Sequence, residues 1–375
     1  MKKSLALSLS FLLGSGASLS ATPLLSIGDH ADLYATLDGS VAYTDNLTLD
    51  ENDELDDFRF IVRPGAVFQL GRGLTNLDAN LTASYGIIRY VDNTVFDTEL
   101  WNVGANANFR GPRYNVGLGA GYRERQQNEN DINANRTLVT QEIAFVEGDL
   151  RYRLSQKFSF GLGGEFEDRS YDGGRNIDRN IITVPVDLFY ELTPKLDASG
   201  GVRYRQTDLD QGVDSDDVFY NLGLNGSLTE KFSTRLKAGY QTRDFTGDRE
   251  SEGTLSVIST SNYDLSTRTT LRLILDRDFA TAGEGSSVER TNVRLTAFYL
   301  FSPRLNGDLS GAYTLSDYEG SSREDDTYRI RAGLNYRFNE LLSLNASYTF
   351  RDNDSNFRGS SYTENMVELG ANFRY

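Results

Sequence analysis

Arginines at alternate positions of several short segments form two groups that could recognise anions. The seven residues are Arg203, Arg205, Arg235 and Arg243 in the first group and Arg329, Arg331 and Arg351 in the second. A planar guanidinium donates paired hydrogen bonds to carboxylate and phosphate groups. Because few acidic residues lie beside them in the sequence, we expect these side chains to line a path for anionic solutes. The alternative is structural, with the arginines bridging carboxylates on neighbouring strands.

The composition leaves few residues for catalysis. The 375 residues include no cysteine and a single histidine, His30, so a thiol nucleophile, a thiolate metal site and a two-histidine metal site are all excluded. The sequence therefore predicts neither an enzyme nor a cofactor. One acidic segment, 208–217, is a weak candidate for binding a divalent cation, although Gly212 stands where an EF-hand loop needs a ligand. Its candidate ligands are Asp208, Asp210, Asp214 and Asp216.

Alternating apolar and polar residues predict the elements that carry these side chains. The pattern is clear over residues 114–122, 218–228, 328–338 and 342–350. Successive side chains of a β-strand point to opposite faces, so each segment predicts a strand with one apolar and one polar face. The arginines of both groups fall on the polar faces.

Two kinds of break separate the strands. Short turn-like units recur roughly every forty residues, at LGRGL (70–74), FRGPRY (109–114), LSQKF (154–158), LTPKL (192–196), LTEKF (228–232), LSTRT (265–269), FSPRL (301–305) and FNELL (338–342). Midway between them lie longer breaks rich in Asp, Asn, Gly and Ser. Strand, long polar loop, strand and tight turn together describe an array of β-hairpins. Eight tight turns and nine long loops predict eighteen strands, or sixteen if one hairpin is misread.

This array predicts an all-β fold, a transmembrane antiparallel up-and-down β-barrel of about 18 strands. Strands of about 10–13 residues, tilted by roughly 40°, span the hydrocarbon core of a bilayer with apolar side chains towards lipid and polar ones towards the lumen. A soluble sandwich or a parallel β-helix fits the long hairpin series less well. We expect short periplasmic turns, longer acidic extracellular loops, and no loop long enough to fold into the lumen as a constriction.

The amino-terminal residues indicate export. Lys2 and Lys3 precede an apolar run over residues 4–14, and small residues follow, which is typical of a signal peptide cleaved after Ala21 or Ala17. The predicted organisation is a signal peptide at 1–21, a short periplasmic segment at 22–30 and the transmembrane barrel at 31–375.

The carboxyl-terminal strand alternates to its last residue and ends in aromatic side chains. Phe373 and Tyr375 lie on its apolar face. This pattern resembles the terminal signal of Gram-negative outer-membrane proteins. The resemblance implies that the barrel assembly machinery is a partner of the chain.

Charge is divided unevenly along the sequence. The chain has 54 acidic and 38 basic residues, a net charge of -16, and the predicted loop at 44–57 contains seven acidic residues and no basic one. Acidic extracellular loops could share divalent cations with lipopolysaccharide. The alternative is that they are simply solvated. The acidic balance predicts no nucleic-acid partner.

The segment Tyr43-Thr44-Asp45-Asn46-Leu47 ends the first predicted strand. It resembles the tyrosine-aspartate-asparagine segment of the β-barrel porins found with exopolysaccharide and capsule gene clusters in Gram-negative bacteria. The hairpin period and the terminal aromatic residue also match that group. The resemblance implies a location in the bacterial outer membrane, contact with outer-membrane lipid and lipopolysaccharide, and work beside polysaccharide or polysaccharide-export proteins.

The expected function is a porin-like passive channel for small polar, anionic or saccharide solutes, which could also assist exopolysaccharide export. The alternative is a structural or adhesive outer-membrane barrel whose lumen is filled by arginine–carboxylate ladders. Either barrel could act alone or as a homo-oligomer.

Overall fold

The computed structural model describes residues 22–128, 138–173 and 176–375. The predicted signal peptide, residues 1–21, lies outside the described residues. Most of the described residues belong to β-strands. The strands are β1 (Leu25–Ile27), β2 (Ala31–Thr44), β3 (Asp57–Leu70), β4 (Leu77–Tyr90), β5 (Thr98–Arg110), β6 (Tyr114–Asn128), β7 (Leu138–Arg153), β8 (Phe158–Asp172), β9 (Arg179–Thr193), β10 (Leu196–Leu209), β11 (Ser215–Ser227), β12 (Phe232–Phe245), β13 (Glu252–Ser266), β14 (Thr269–Thr281), β15 (Ser287–Ser302), β16 (Leu305–Tyr318), β17 (Glu324–Arg337), β18 (Leu342–Ser355) and β19 (Tyr362–Arg374). One 3₁₀ turn (Thr94–Phe96) lies between β4 and β5.

The eighteen strands β2 to β19 close into one antiparallel barrel. Each strand pairs with the next along the chain, and β19 pairs with β2. The short β1 pairs with the start of β2, beside Tyr375, whose backbone exchanges hydrogen bonds with Ala35. The prediction of eighteen strands is confirmed, and the eight predicted tight turns all lie at one end of the barrel, together with β1 and Tyr375.

The two faces of the wall differ as the alternation predicts. Large apolar side chains on the outer face are exposed, for example Leu222 at 75 % and Leu255 at 69 %. Outward aromatic pairs, such as Phe158 with Tyr190, lie near the strand ends, where membrane proteins place aromatic girdles. No helix among the described residues is long and apolar enough to cross a membrane.

Glycines on the inner face let neighbouring side chains lie flat against the wall. On β6, Gly119 is opposite Glu147, and a Cβ added at this glycine would come within 2.6 Å of the Glu147 Oε1 atom. Asp187 lies between two such glycines, Gly161 and Gly201, on the strands either side of β9. Because glycine has no side chain, these positions leave room for the carboxylates of Glu147 and Asp187 on the inner face.

The wall splits at two places in its outer half, on the side of the long loops. Pairing between β13 and β14 stops at Val257 and Arg277, so residues 252–256 and 278–281 do not face each other in a ladder. Pairing between β5 and β6 similarly stops at Asn102 and Arg123. We call the gap between β13 and β14 the β13–β14 seam.

The first extracellular loop, residues 45–56, folds inward. Leu47 is buried against Ile88 and Leu100, which are on the inner faces of β4 and β5. The side chain of Asn46 holds the loop by donating to the carbonyl oxygens of Asp50 and Thr363. We expected no loop long enough to fold into the lumen as a constriction, yet this loop of twelve residues folds inward. A loop of ordinary length can do so because its apolar side chain finds apolar partners inside the wall.

Gly239 on β12 provides a test of the close approach between strands. A Cβ at this position would overlap the carbonyl oxygen of Tyr220 on β11. A backbone oxygen cannot turn aside, so Gly239→Ala is expected to lower the free energy of unfolding by about 1–3 kcal/mol. Urea unfolding of the detergent-refolded barrel, followed by its heat-modifiable gel mobility, measures the change.

The matched control is Gly164→Ala, because a Cβ there meets no atom within 4 Å. Its unfolding midpoint should equal that of the wild type. Equal shifts for the two variants would contradict the steric account.

Candidate functional site in the barrel lumen

All seven candidate arginines lie on the inner face of the wall. Arg203, for example, stands between Val202 and Tyr204, two side chains exposed on the outer face. The structure therefore brings both predicted groups to the lumen. Their surroundings there are very different.

The first group is largely neutralised by carboxylates. Asp217 on β11 accepts hydrogen bonds from Nε of Arg205 at 2.7 Å and from Nε of Arg243 at 2.6 Å. Asp278 on β14 accepts from Arg203 Nη2 at 2.8 Å. Arg243 and Asp217 are each only 1 % exposed. We call Arg205, Arg243, Asp217 and Asp278 the buried charge cluster.

The expectation that the first group has few acidic neighbours is therefore wrong for Arg203, Arg205 and Arg243. Asp217 lies directly opposite Arg205 and Arg243 on the neighbouring strands. Asp278 is distant in the sequence and reaches Arg203 and Arg205 from the outer end of β14. Arg235 differs, since no carboxylate lies within 4.0 Å of it in the part of the chain that the structure describes.

Two further ion pairs cross several strands on the same side of the barrel. Arg151 on β7 contacts Asp197 on β10 at 2.8 Å, and Lys237 on β12 contacts Asp187 on β9 at 2.8 Å. The predicted arginine–carboxylate ladders therefore exist between β7 and β14. Each of these two bridges joins strands that are not neighbours in the wall.

The arginines of the second group have fewer carboxylates beside them than those of the first group. Arg329 and Arg351 are directly opposite each other on β17 and β18, and Arg294 on β15 continues the row through Ala312. Arg351 is 3.8 Å from a carboxylate oxygen of Glu364. Within the described residues, neither Arg294 nor Arg329 has a carboxylate within 4.0 Å.

We call Arg294, Arg329 and Arg351 the arginine row. Arg331, the remaining candidate of the second group, instead pairs with Asp308 at 2.7 Å and is half-exposed. The sequence prediction did not select Arg294 as a site residue. Its alternate position on β15 places it on the polar face, but only the strand register shows that it continues the row.

The weak metal-binding candidates do not converge. Asp214 accepts the backbone N–H of Leu209, and Asp216 accepts the hydroxyl of Tyr204 at 2.6 Å. Asp208 accepts a hydrogen bond from the side chain of Gln206, and Asp210 lies in the loop. Across the described ranges, no group of three or more His, Cys, Asp or Glu residues could hold a metal ion.

The predicted assembly residues lie at the closing strand. Phe373 on β19 is paired with Leu37 of β2, and both Phe373 and Tyr375 are exposed on the outer face. Recognition of this strand by the assembly machinery stays a prediction.

Carboxylates gather on the outer edge of the β13–β14 seam. Arg277 pairs there with Glu289, and its guanidinium reaches Thr254 across the gap. In the loop after β16, burial raises the pKa of Glu319, and the nearby carboxylates of Glu252 and Glu289 raise it further. The seam is thus bordered by polar groups on its extracellular side.

The closed barrel, the outward apolar band and the polar lumen together define an outer-membrane protein of the porin type. The model described as Surface lipoprotein assembly modifier matches residues 75–274, more than half of the chain. The model described as Putative beta-barrel porin 2 matches residues 209–375. The chain therefore belongs to the surface lipoprotein assembly modifier family, and its resemblance to β-barrel porins is confirmed. No curated protein matches the chain.

Solved structures of outer-membrane channels share the fold. OpdK from Pseudomonas aeruginosa is 11 % identical, with a TM-score of 0.52 over 92 % of this chain and 99 % of that chain. A BenF-like porin from Pseudomonas fluorescens Pf-5 is 9 % identical, with a TM-score of 0.51 over the same shares. These likenesses concern the fold, and with the family match they place the protein in the bacterial outer membrane.

The buried charge cluster can be tested by removing its central acid. Asp217→Ala leaves two buried guanidiniums short of a counter-charge, so the free energy of unfolding should fall by about 3–5 kcal/mol. Urea unfolding of the refolded barrel measures this loss.

Asp308→Ala is the matched control, because its partner Arg331 is half-exposed and water screens that pair. Its loss should be no more than about 1 kcal/mol. A similar loss in both variants would show that burial does not distinguish the two pairs.

Proposed function

We propose that the protein is a passive outer-membrane channel for small anionic solutes, with the arginine row as the part of the wall that attracts them. The observation that carries the proposal is the open positive charge of Arg294 and Arg329, which have no carboxylate within 4.0 Å among the described residues. Guanidiniums that line a pore attract anions into it. The ion-paired wall between β7 and β14 offers few such free charges.

The fold relatives support the chemical class. One structure of OpdK from Pseudomonas aeruginosa was determined with vanillate, a carboxylate. That protein is only 10 % identical to this chain, so the support is for a barrel of this shape admitting a small carboxylate. Small polar and saccharide solutes fit the same water-filled lumen, and assistance to exopolysaccharide export is an extension of the proposal.

A second candidate is a structural barrel without a conducting path. The ladders between β7 and β14 and the inward-folded first loop favour it, because both occupy lumen space. In that case, the assembly of surface lipoproteins that the family's description names would take place at the extracellular surface of the barrel.

Planar-bilayer recording with a salt gradient distinguishes the two. The wild type is expected to conduct with a reversal potential that indicates preference for chloride over potassium. Arg329→Gln/Arg351→Gln removes two lumen charges and should lower the chloride-to-potassium permeability ratio by at least about twofold.

The matched control is Arg329→Lys/Arg351→Lys, which keeps the charges and should keep the preference for anions. Arg268→Gln, at an exposed tight turn, controls for charge far from the arginine row. Absence of conductance from barrels with normal heat-modifiable mobility would reject the channel and favour the structural barrel.

A further inference from the structure

The outer end of β14 leaves the wall and turns into the lumen. Its pairing with β13 stops at Arg277, whereas its pairing with β15 continues to Thr281 and Ser287. We call residues 278–287 the β14–β15 tip. The tip stays joined to the wall through β15, which pairs with β16 from Val288 onwards. It therefore has one attached edge and one free edge.

Arginines from other strands donate hydrogen bonds to the backbone of the tip. An unpaired strand edge presents backbone carbonyl groups that need donors. Arg205 donates to the carbonyl oxygen of Phe279 at 2.7 Å, Arg243 to that of Ala280 at 2.8 Å, and Arg179 to that of Ala282 at 2.7 Å. These arginines come from β10, β12 and β9, none of which is next to β14 in the wall.

Other contacts hold the tip in the same place. The N–H of Ile177 donates to the carbonyl oxygen of Gly283 at 2.8 Å. The guanidinium of Arg243 lies 5.0 Å from the centre of the Phe279 ring and also donates to Ser287 Oγ. We call this arrangement the clamped state.

The same edge has a second set of partners available. If the register of Val257 and Arg277 continued outwards, residues 253–256 of β13 would face residues 278–281 of β14. The two segments belong to neighbouring strands but are unpaired across the seam. Closing the seam would give the free edge of residues 278–281 ordinary ladder partners on β13. Because consecutive carbonyl groups of a strand alternate in direction, one of the two carbonyl groups of Phe279 and Ala280 would exchange its guanidinium for a backbone donor of β13.

We propose that the β14–β15 tip is a gate with two discrete positions, clamped across the lumen or zipped onto β13. Zipping moves the tip out of the lumen and widens the path between β9 and β14. It also carries Asp278, which belongs to the tip, away from Arg203 and Arg205, so the open state leaves less counter-charge beside these two arginines in the solute path. This regulation rests on the proposed channel function, since it acts on the same lumen.

Engineered disulfides test the two positions, and the absence of cysteine from the chain makes each pair specific. Ile177→Cys/Gly283→Cys is designed to fix the clamped state, and Thr254→Cys/Ala280→Cys the zipped state. After oxidation, the first pair should lower conductance and the second should raise it by at least about twofold. Reductant should restore wild-type conductance in both cases.

The four single-cysteine variants are the matched controls, and oxidation should not alter their conductance. Arg243→Gln removes one clamp without adding a cysteine, and in the Thr254→Cys/Ala280→Cys background it should increase the yield of cross-linked barrel. Heat-modifiable mobility verifies that each variant is folded.

The cross-linking yield separates failure of the gate from failure of the channel. If folded Thr254→Cys/Ala280→Cys barrels do not cross-link even with Arg243→Gln, the tip has one position and the gate is rejected. If both pairs cross-link but no variant conducts, the gate stands and the channel proposal fails. If both pairs cross-link and conductance stays at the wild-type value, the tip does not control the solute path and the gate is rejected.

Discussion

The structure depends on one constraint, the need to pair every backbone N–H and C=O group away from water. Lipid offers no hydrogen-bond partners, so strands can cross a membrane only if the sheet closes on itself. The pairing of β19 with β2 meets this requirement, and the remaining architecture follows from it. The outer face can then be apolar, the inner face polar, and the chain needs no large internal apolar core.

At one place in the wall, side chains and not a neighbouring strand supply the hydrogen-bond donors. At the β13–β14 seam, the ladder ends and guanidiniums of Arg205 and Arg243 take over as donors to the carbonyl oxygens of β14. A guanidinium carries its charge with it, so these residues need the carboxylates of Asp217 and Asp278 as well. The break in backbone pairing between β13 and β14 thus explains why the buried charge cluster lies inside the lumen.

The same residue type consequently has two kinds of surroundings in different parts of the lumen. Between β7 and β14, basic side chains bridge non-neighbouring strands and are neutralised by carboxylates. Along β15 to β18, the arginine row has fewer compensating charges. A count of arginines on polar faces cannot separate these surroundings, because neutralisation depends on which carboxylates the strand register and the inward turn of β14 place beside each arginine.

The sequence by itself determined that the barrel has eighteen strands, where the tight turns lie, and which strand residues face inwards or outwards. These features depend on local alternation and on local turn residues. It also identified Arg329 and Arg351 as inner-face residues. Only the tertiary structure decided that Arg205 and Arg243 are buried beside Asp217, that Leu47 brings the first loop into the lumen, and that β14 separates from β13. These features depend on which side chains are buried inside the lumen and on where a backbone ladder ends. Both follow from barrel closure and curvature and leave no local periodic pattern.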